Sequence, residues 1–192
     1  MNPFATIQML ILLWPLIFGG QTEQSGRTKI SCAAESLPSA IQHRLQEEYG
    51  QWRIQKEENL SPRARGRWES EKPLTCPGIA VGRFENAEAR SYAVLLVPAH
   101  QTDGGYRLLV FSRKSGDGGY EPKLVDKLDD RGGANYFLHA VSISKFFDEA
   151  SRKRFQAHTP EGVLLIDSAE NEYEVDVYFW SAGHYKHEPI DY

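Results

Sequence analysis

The sequence predicts an α+β fold, with an N-terminal helix or two packed on a largely antiparallel β-meander of about six or seven strands. Three observations carry this expectation. Helical signals concentrate before Trp68, the segments after Cys76 are mostly short apolar or alternating runs, and Asp-Gly or Gly-Gly pairs separate several of those runs.

The first helix is expected in "ESLPSAIQHRLQEEYG", with Ser36 as N-cap, Pro38 in the first turn and Gly50 as the stop. Leu37, Ile41, Leu45 and Tyr49 recur every fourth residue and make one apolar stripe. "QWRI" alternates like a short strand, and "LSPRARGRW", with Ser61 before Pro62, reads as a short helix or turn. "GIAVGRF", "SYAVLLV" and "YRLLVFSR" then read as strands, and so does "YEPKLVDKL". "YFLHAVSISKFF" is ambiguous between helix and strand; its β-rich run at 141–143 favours a strand through about Ile143, with "FFDEASRKRFQAH" turning helical after it. "GVLLID" is a buried strand. In "EYEVDVYFW" alternation puts Tyr173, Val175, Val177 and Phe179 on one face and Glu174, Asp176, Tyr178 and Trp180 on a wetter one. "TDGGY" and "GDGGY", echoed by "RGGANY", supply the positive φ that tight turns need, so all three are expected to close hairpins of one meander.

Domain organisation follows from the first residues. The apolar block at 9–18, followed by Gly19 and Gly20, has the length and position of a secretory h-region and is short for a bilayer span. Residues 1–22 are expected to be a signal peptide, with an uncleaved anchor as the alternative. Residues 23–30 then form a flexible mature N-terminus, and 31–192 a single α+β domain. A secreted or periplasmic location follows, with membrane contact only if the first segment is retained. The formal net charge of −4 gives no pull toward nucleic acid. In an oxidising compartment the only two cysteines, Cys32 and Cys76, are expected to form a structural disulfide.

The layout "WRI…LSPRARGRW…CPGIAVGRFENAEARSYAVLLV", joined by the later "VYFWSAGHY", resembles secreted bacterial proteins that carry one FG-GAP (VCBS-like) unit. The matching residues are Gly82, Phe84, Tyr92, Ala93, Leu95 and Leu96. The resemblance implies two strands joined by a loop whose aspartates can hold calcium. Here that loop offers only Glu85, Asn86 and Glu88 as oxygen donors, beside Arg83 and Arg90 and with no glycine among them. A plain structural hairpin without metal is expected.

Other chemistry is sparse. His184, His187 and Glu188 are the only histidine cluster, and Gly183 and Pro189 around them suggest a turn and a surface pair. His139, in an apolar run, reads as a hydrogen-bonded core residue. "SISK" has the Ser-x-x-Lys spacing without the companion motifs of that enzyme class. No catalytic residue and no cofactor is assigned. "NLS" at 59–61 is an N-glycosylation sequon. The remaining signal is aromatic: Tyr178, Trp180 and Tyr185 on the last hairpin form a candidate binding face, the alternative being that the Leu37–Tyr49 stripe of the N-terminal helix covers them. The expected function is an exported, non-enzymatic binding domain for a protein or a cell-envelope polymer. The alternative is an exported hydrolase with dispersed carboxylates and histidines.

Overall fold

The computed structural model describes residues 32–71, 76–100, 104–114, 119–169 and 174–190. The expected export signal and loose N-terminus lie outside the described residues, as do Tyr173, Asp103 and Asp117. In chain order the described elements are α1 (Ser39–Glu48), β1 (Trp52–Ile54), α2 (Pro62–Ser70), β2 (Ile79–Gly82), β3 (Ser91–Pro98), β4 (Tyr106–Arg113) and β5 (Tyr120–Leu128). They continue with β6 (Tyr136–Ser142), α3 (Glu149–Phe155), β7 (Glu161–Asp167), β8 (Glu174–Ser181) and β9 (His184–Pro189).

All strand pairings among these residues are antiparallel, so the α+β class and the antiparallel sheet stand. The single meander does not. The strands divide into two sheets, one ordered β1-β3-β4-β5 with β2 also on β3, the other β6-β7-β8-β9. The break falls at "RGGANY". Gly104 and Gly105 lie in the β3–β4 connection and Gly119 at the end of the β4–β5 one, but this third pair carries the chain from one sheet to the other. Gly132 makes the bend at φ 80°. Gly133 N donates to Gly104 O at 2.8 Å, so the glycine pairs at 104–105 and 132–133 pack backbone against backbone. A Cβ on Gly133 would stand 2.4 Å from Gly105 O.

Three apolar layers explain why the sheets stack. Val94, Leu96, Leu109 and Phe111 face Leu37, Ile41 and Leu45 at the N-terminal side of the protein, in and just before α1. On the other face of the same sheet, Ala93, Leu95, Leu108 and Val110 meet Leu138, Val163 and Leu165 of the second sheet. Phe137, Leu164, Ile166, Val177 and Phe179 turn away from that interface and are covered by Ala64 and Trp68 of α2 and by Phe147 and Phe155 around α3. The result is a helix–sheet–sheet–helix sandwich. Phe84, Phe111, Phe137 and Phe179 are fully buried, and each such ring contributes about 1.5–3 kcal/mol.

Local starts and stops largely follow the side chains. α1 begins later than expected, because Ala34–Ser36 forms a 3-10 turn and Pro38, not Ser36, is the N-cap. Ser61 caps α2, its Oγ accepting from Ala64 N at 3.3 Å. β6 stops at Ser142, one residue before the expected end, and Ile143–Lys145 turns into a 3-10 helix. Asp148 then caps α3 by accepting from Ser151 N at 2.7 Å. The Nδ2 atom of Asn59 is buried without a hydrogen-bond partner, so the sequon does not present its acceptor nitrogen.

β1 and β2 lie end to end along one edge of β3, pairing with its last and first residues respectively. Between them the chain leaves this sheet, crosses to the far one and lays α2 on it. Gln55 marks the departure: it is fully buried, and its Nε2 donates to Gly133 O at 2.9 Å and Tyr136 O at 3.1 Å. The disulfide Cys32–Cys76, with Cα atoms 4.9 Å apart, ties the segment before α1 to the start of β2.

α2 is fastened to β6 by a polar contact. Glu71 Oε1 accepts from Arg67 Nε at 2.8 Å. His139 Nε2 stands 2.9 Å from Glu71 Oε2, off the line of an aligned hydrogen bond. Burial alone would push the Glu71 carboxyl up; His139 and Arg67 outweigh it and hold the group below the ordinary 4.5. A depressed carboxylate pKa stabilises the fold above its unfolded value and loses that contribution as pH falls through the folded value. Glu71→Gln should therefore lower the melting temperature at pH 6–7, and by progressively less as pH falls below the ordinary 4.5 and through the folded value. Parallel melts across that range check this, and an equal loss at both ends would refute it.

Candidate functional site at the open edge of the sandwich

The two sheets stack along one side through β2 and β6 and along the other through side chains of β5, β8 and β9. They meet where β2 runs against β6, with Leu138 N donating to Pro77 O at 2.8 Å. The opposite side is bounded by the edge strands β5 and β9, and no residue of β5 is fully buried. Both edges carry Lys and Pro (Pro122, Lys123 and Lys127 on β5, Lys186 and Pro189 on β9), which discourage pairing with another strand. Contacts at this edge are therefore left to side chains.

A regular strand would not put Lys123 and Asp126 on one face, because they are three residues apart. A register shift between Leu108 and Leu109 corrects this: Lys123 pairs with Val110 and Asp126 with Leu108, both inward-facing. From the other sheet, Trp180 and Tyr185 are cross-strand partners in the β8–β9 hairpin, and Tyr178 pairs with His187. Ala182 and Gly183, at φ 49° and 88°, make its two-residue turn. His184 and His187 are thus strand residues, not turn residues.

At the deep end, Asp126 Oδ2 accepts from Tyr106 OH at 2.5 Å and from Tyr178 OH at 2.7 Å. One carboxylate oxygen so clasps the two sheets together. Burial, and then Asp126, push both phenols far above their ordinary range, and they stay protonated donors. Tyr178 is buried in the inter-sheet core; the face of β8 read as wetter is the one that faces the other sheet. Exposed His187 lies flat on Tyr178, with ring centroids 5.5 Å apart, and its Nδ1 is 3.3 Å from Asp176 Oδ1.

Nearer the surface, Lys123 Nζ donates to Glu85 Oε2 at 2.9 Å and sits 5.2 Å over the Trp180 ring. Trp180 meets Tyr185 edge to face at 5.1 Å. The Tyr185 phenol is pushed up by burial and next by the Glu85 carboxylate, yet neither its hydroxyl nor Glu85 Oε1 makes a hydrogen bond of normal geometry. Buried Ser91 and Ser112, 3.0 Å apart, are hydrogen-bonded to each other across β3 and β4.

The structure thus brings Glu85, Trp180 and Tyr185 together and adds Lys123, while it takes Tyr178 into the core. It does not gather the calcium candidates. Glu85 turns to Lys123, Asn86 Oδ1 accepts from Glu88 N at 2.8 Å to hold the turn, and no group of three metal-ligating side chains occurs among the described residues. Lys123 had no sequence signal, because its place depends on the register shift and on packing against the second sheet.

A cleft of about 510 Å³ runs between α1 and β1, with Leu45, Tyr49, Trp52, Ile54 and Leu96 among its walls and Gln46 and Lys56 beside them. No helix among the described residues is long and apolar enough to cross a membrane. No protein-family model matches the chain, no curated protein matches it, and no solved structure matches its fold.

Proposed function

We propose that the protein is an exported, non-enzymatic binding module that holds a polypeptide partner at the open edge between β5 and β9. The observation that carries this reading is the convergence of Glu85, Lys123, Trp180 and Tyr185, from four separate segments, on the side bounded by the edge strands β5 and β9. The outer sheet faces are covered by helices and the inner faces by each other, so the expected sheet-face platform gives way to an edge. A sugar would need a bare aromatic face to stack on, and Lys123 occupies a face of the Trp180 ring. That favours a partner that offers side chains. The Cys32–Cys76 bridge supports an oxidising, exported compartment.

The test starts with capture from the producing cell's exported fractions by the chain from residue 23, followed by calorimetry with the purified partner. Trp180→Ala should weaken a one-to-one complex at least tenfold, the range of an aromatic contact worth about 1.4 kcal/mol or more. Trp52→Ala, in the α1–β1 cleft, should leave it unchanged. The reverse pattern would move the site to the cleft, and a soluble envelope polymer binding in place of a polypeptide would overturn the choice of partner.

A further inference from the structure

We propose that the Cys32–Cys76 bridge is exchangeable and that Cys32 is a modification site, where a small thiol entering through the cleft between α1 and β1 forms a mixed disulfide. The cleft shares no residue with the Glu85–Lys123–Trp180–Tyr185 cluster. Three observations carry the proposal. The two sulfurs differ in access, since Cys32 is half-buried and lines the cleft, whereas Cys76 is 1 % exposed. Access decides which sulfur of a disulfide a thiolate attacks, so attack is directed to Cys32. The cleft is also large enough: its volume of about 510 Å³ lies within the range of about 300–1,000 Å³ that small-molecule sites occupy. A thiol of tripeptide size fits there against Tyr49 and Trp52.

The leaving side, finally, is furnished for a thiol. Gly78 N donates to Cys76 Sγ at 3.4 Å, and Gln55 O stands 3.4 Å from the same sulfur. A disulfide sulfur has no hydrogen to give, so the Gln55 carbonyl can serve this sulfur only after the thiol is released. The Gly78 amide supports the departing thiolate, and a thiol that ionises more easily leaves faster. The thiol, ionised in solution, forms a bond to Cys32 Sγ as the Cys32–Cys76 bond breaks, and the electron pair of that bond goes to Cys76 Sγ. A proton from solvent then gives the Cys76 thiol, placed to donate to Gln55 O. One disulfide forms for each one broken, so no oxidant or further reductant is consumed. The exchange unties the segment before α1 from the start of β2 and leaves every strand pairing in place.

Reduced glutathione is the probe, applied to the oxidised protein, with acid quenching and peptide mass spectrometry to locate the adduct. The mixed disulfide should form at Cys32 with a preference of at least about tenfold over Cys76. An adduct at Cys76, at both cysteines equally or at neither would overturn the proposal. Exchange through the cleft of the folded protein is separated from exchange through global unfolding by its urea dependence. The rate should stay flat below the unfolding transition, and a rate that climbs with urea there would refute the native route. Gln46→Trp, which narrows the cleft, should slow the reaction about tenfold with the urea midpoint unchanged, and an unaltered rate would show that the thiol does not enter between α1 and β1. Should Gln46→Trp fail to fold, the site preference and urea dependence of the wild type decide on their own.

Discussion

Gly105→Ala should destabilise the protein by about 3 kcal/mol or more, a value at the upper end for overpacking. The added Cβ would stand 1.7 Å from Leu128 O, 2.4 Å from Leu128 C and 2.9 Å from Asp129 C. All three are backbone atoms at the end of β5, so no side chain can swing aside. Relief requires moving the loop that carries the chain between the sheets, where Gly133 N already holds Gly104 O. The same substitution at Gly66 is the control. It lies within α2, nothing stands within 4 Å of the new Cβ, and alanine there should stabilise by about 0.5–1 kcal/mol. Urea unfolding of the two variants should give opposite signs. A Gly105→Ala protein within 1 kcal/mol of wild type would mean that the two glycine loops do not pack as described.

Cys32→Ala should cost about 4 kcal/mol, the loop-closure entropy released when a bridge spanning 44 residues is lost. Cys32 is the better choice of the two, because Cys76 is 1 % exposed and its replacement would add a cavity to the loss of the bridge. Treating the wild type with a reductant should give a similar shift in the urea midpoint, while the Cys32→Ala protein should ignore the reductant. A wild type equally indifferent to reduction would show that the bridge contributes nothing. The loss should be felt first in α1, because the bridge anchors the segment that leads into it.

Strand positions were legible because alternation and apolar runs survive any tertiary arrangement; the division into two sheets was less so. Residues 93–97 are buried in succession, the mark of a strand covered on both faces, yet the run alone does not say whether helices or a second sheet supply the cover. The third glycine pair misled for a related reason. Turn chemistry records that a chain bends, not which sheet it enters next. At the candidate site, Trp180 and Tyr185 were visible as aromatics of one hairpin. Glu85 appeared only as a doubtful calcium ligand and Lys123 not at all, since their meeting depends on a register shift and on contact between sheets. Tyr178 was assigned to the wet side because Glu174, Asp176 and Trp180 share its parity, and the covering sheet is remote in sequence.

The excursion of α2 has a consequence for how the chain can be divided. Residues before the crossover build the first sheet and residues after it build the second, which invites a cut near Asp130 into two autonomous halves. Neither half would be complete. The second would lack Leu60, Ala64 and Trp68, which cover Phe137 and Val177, and the first would carry those three with nothing to cover. The second sheet is finished by a piece threaded from the first half of the chain, like a board held by a dowel fixed in its neighbour. Folding and unfolding are thereby coupled across the whole sandwich, and a proteolytic nick at the crossover would leave the fragments clasped together instead of releasing two units.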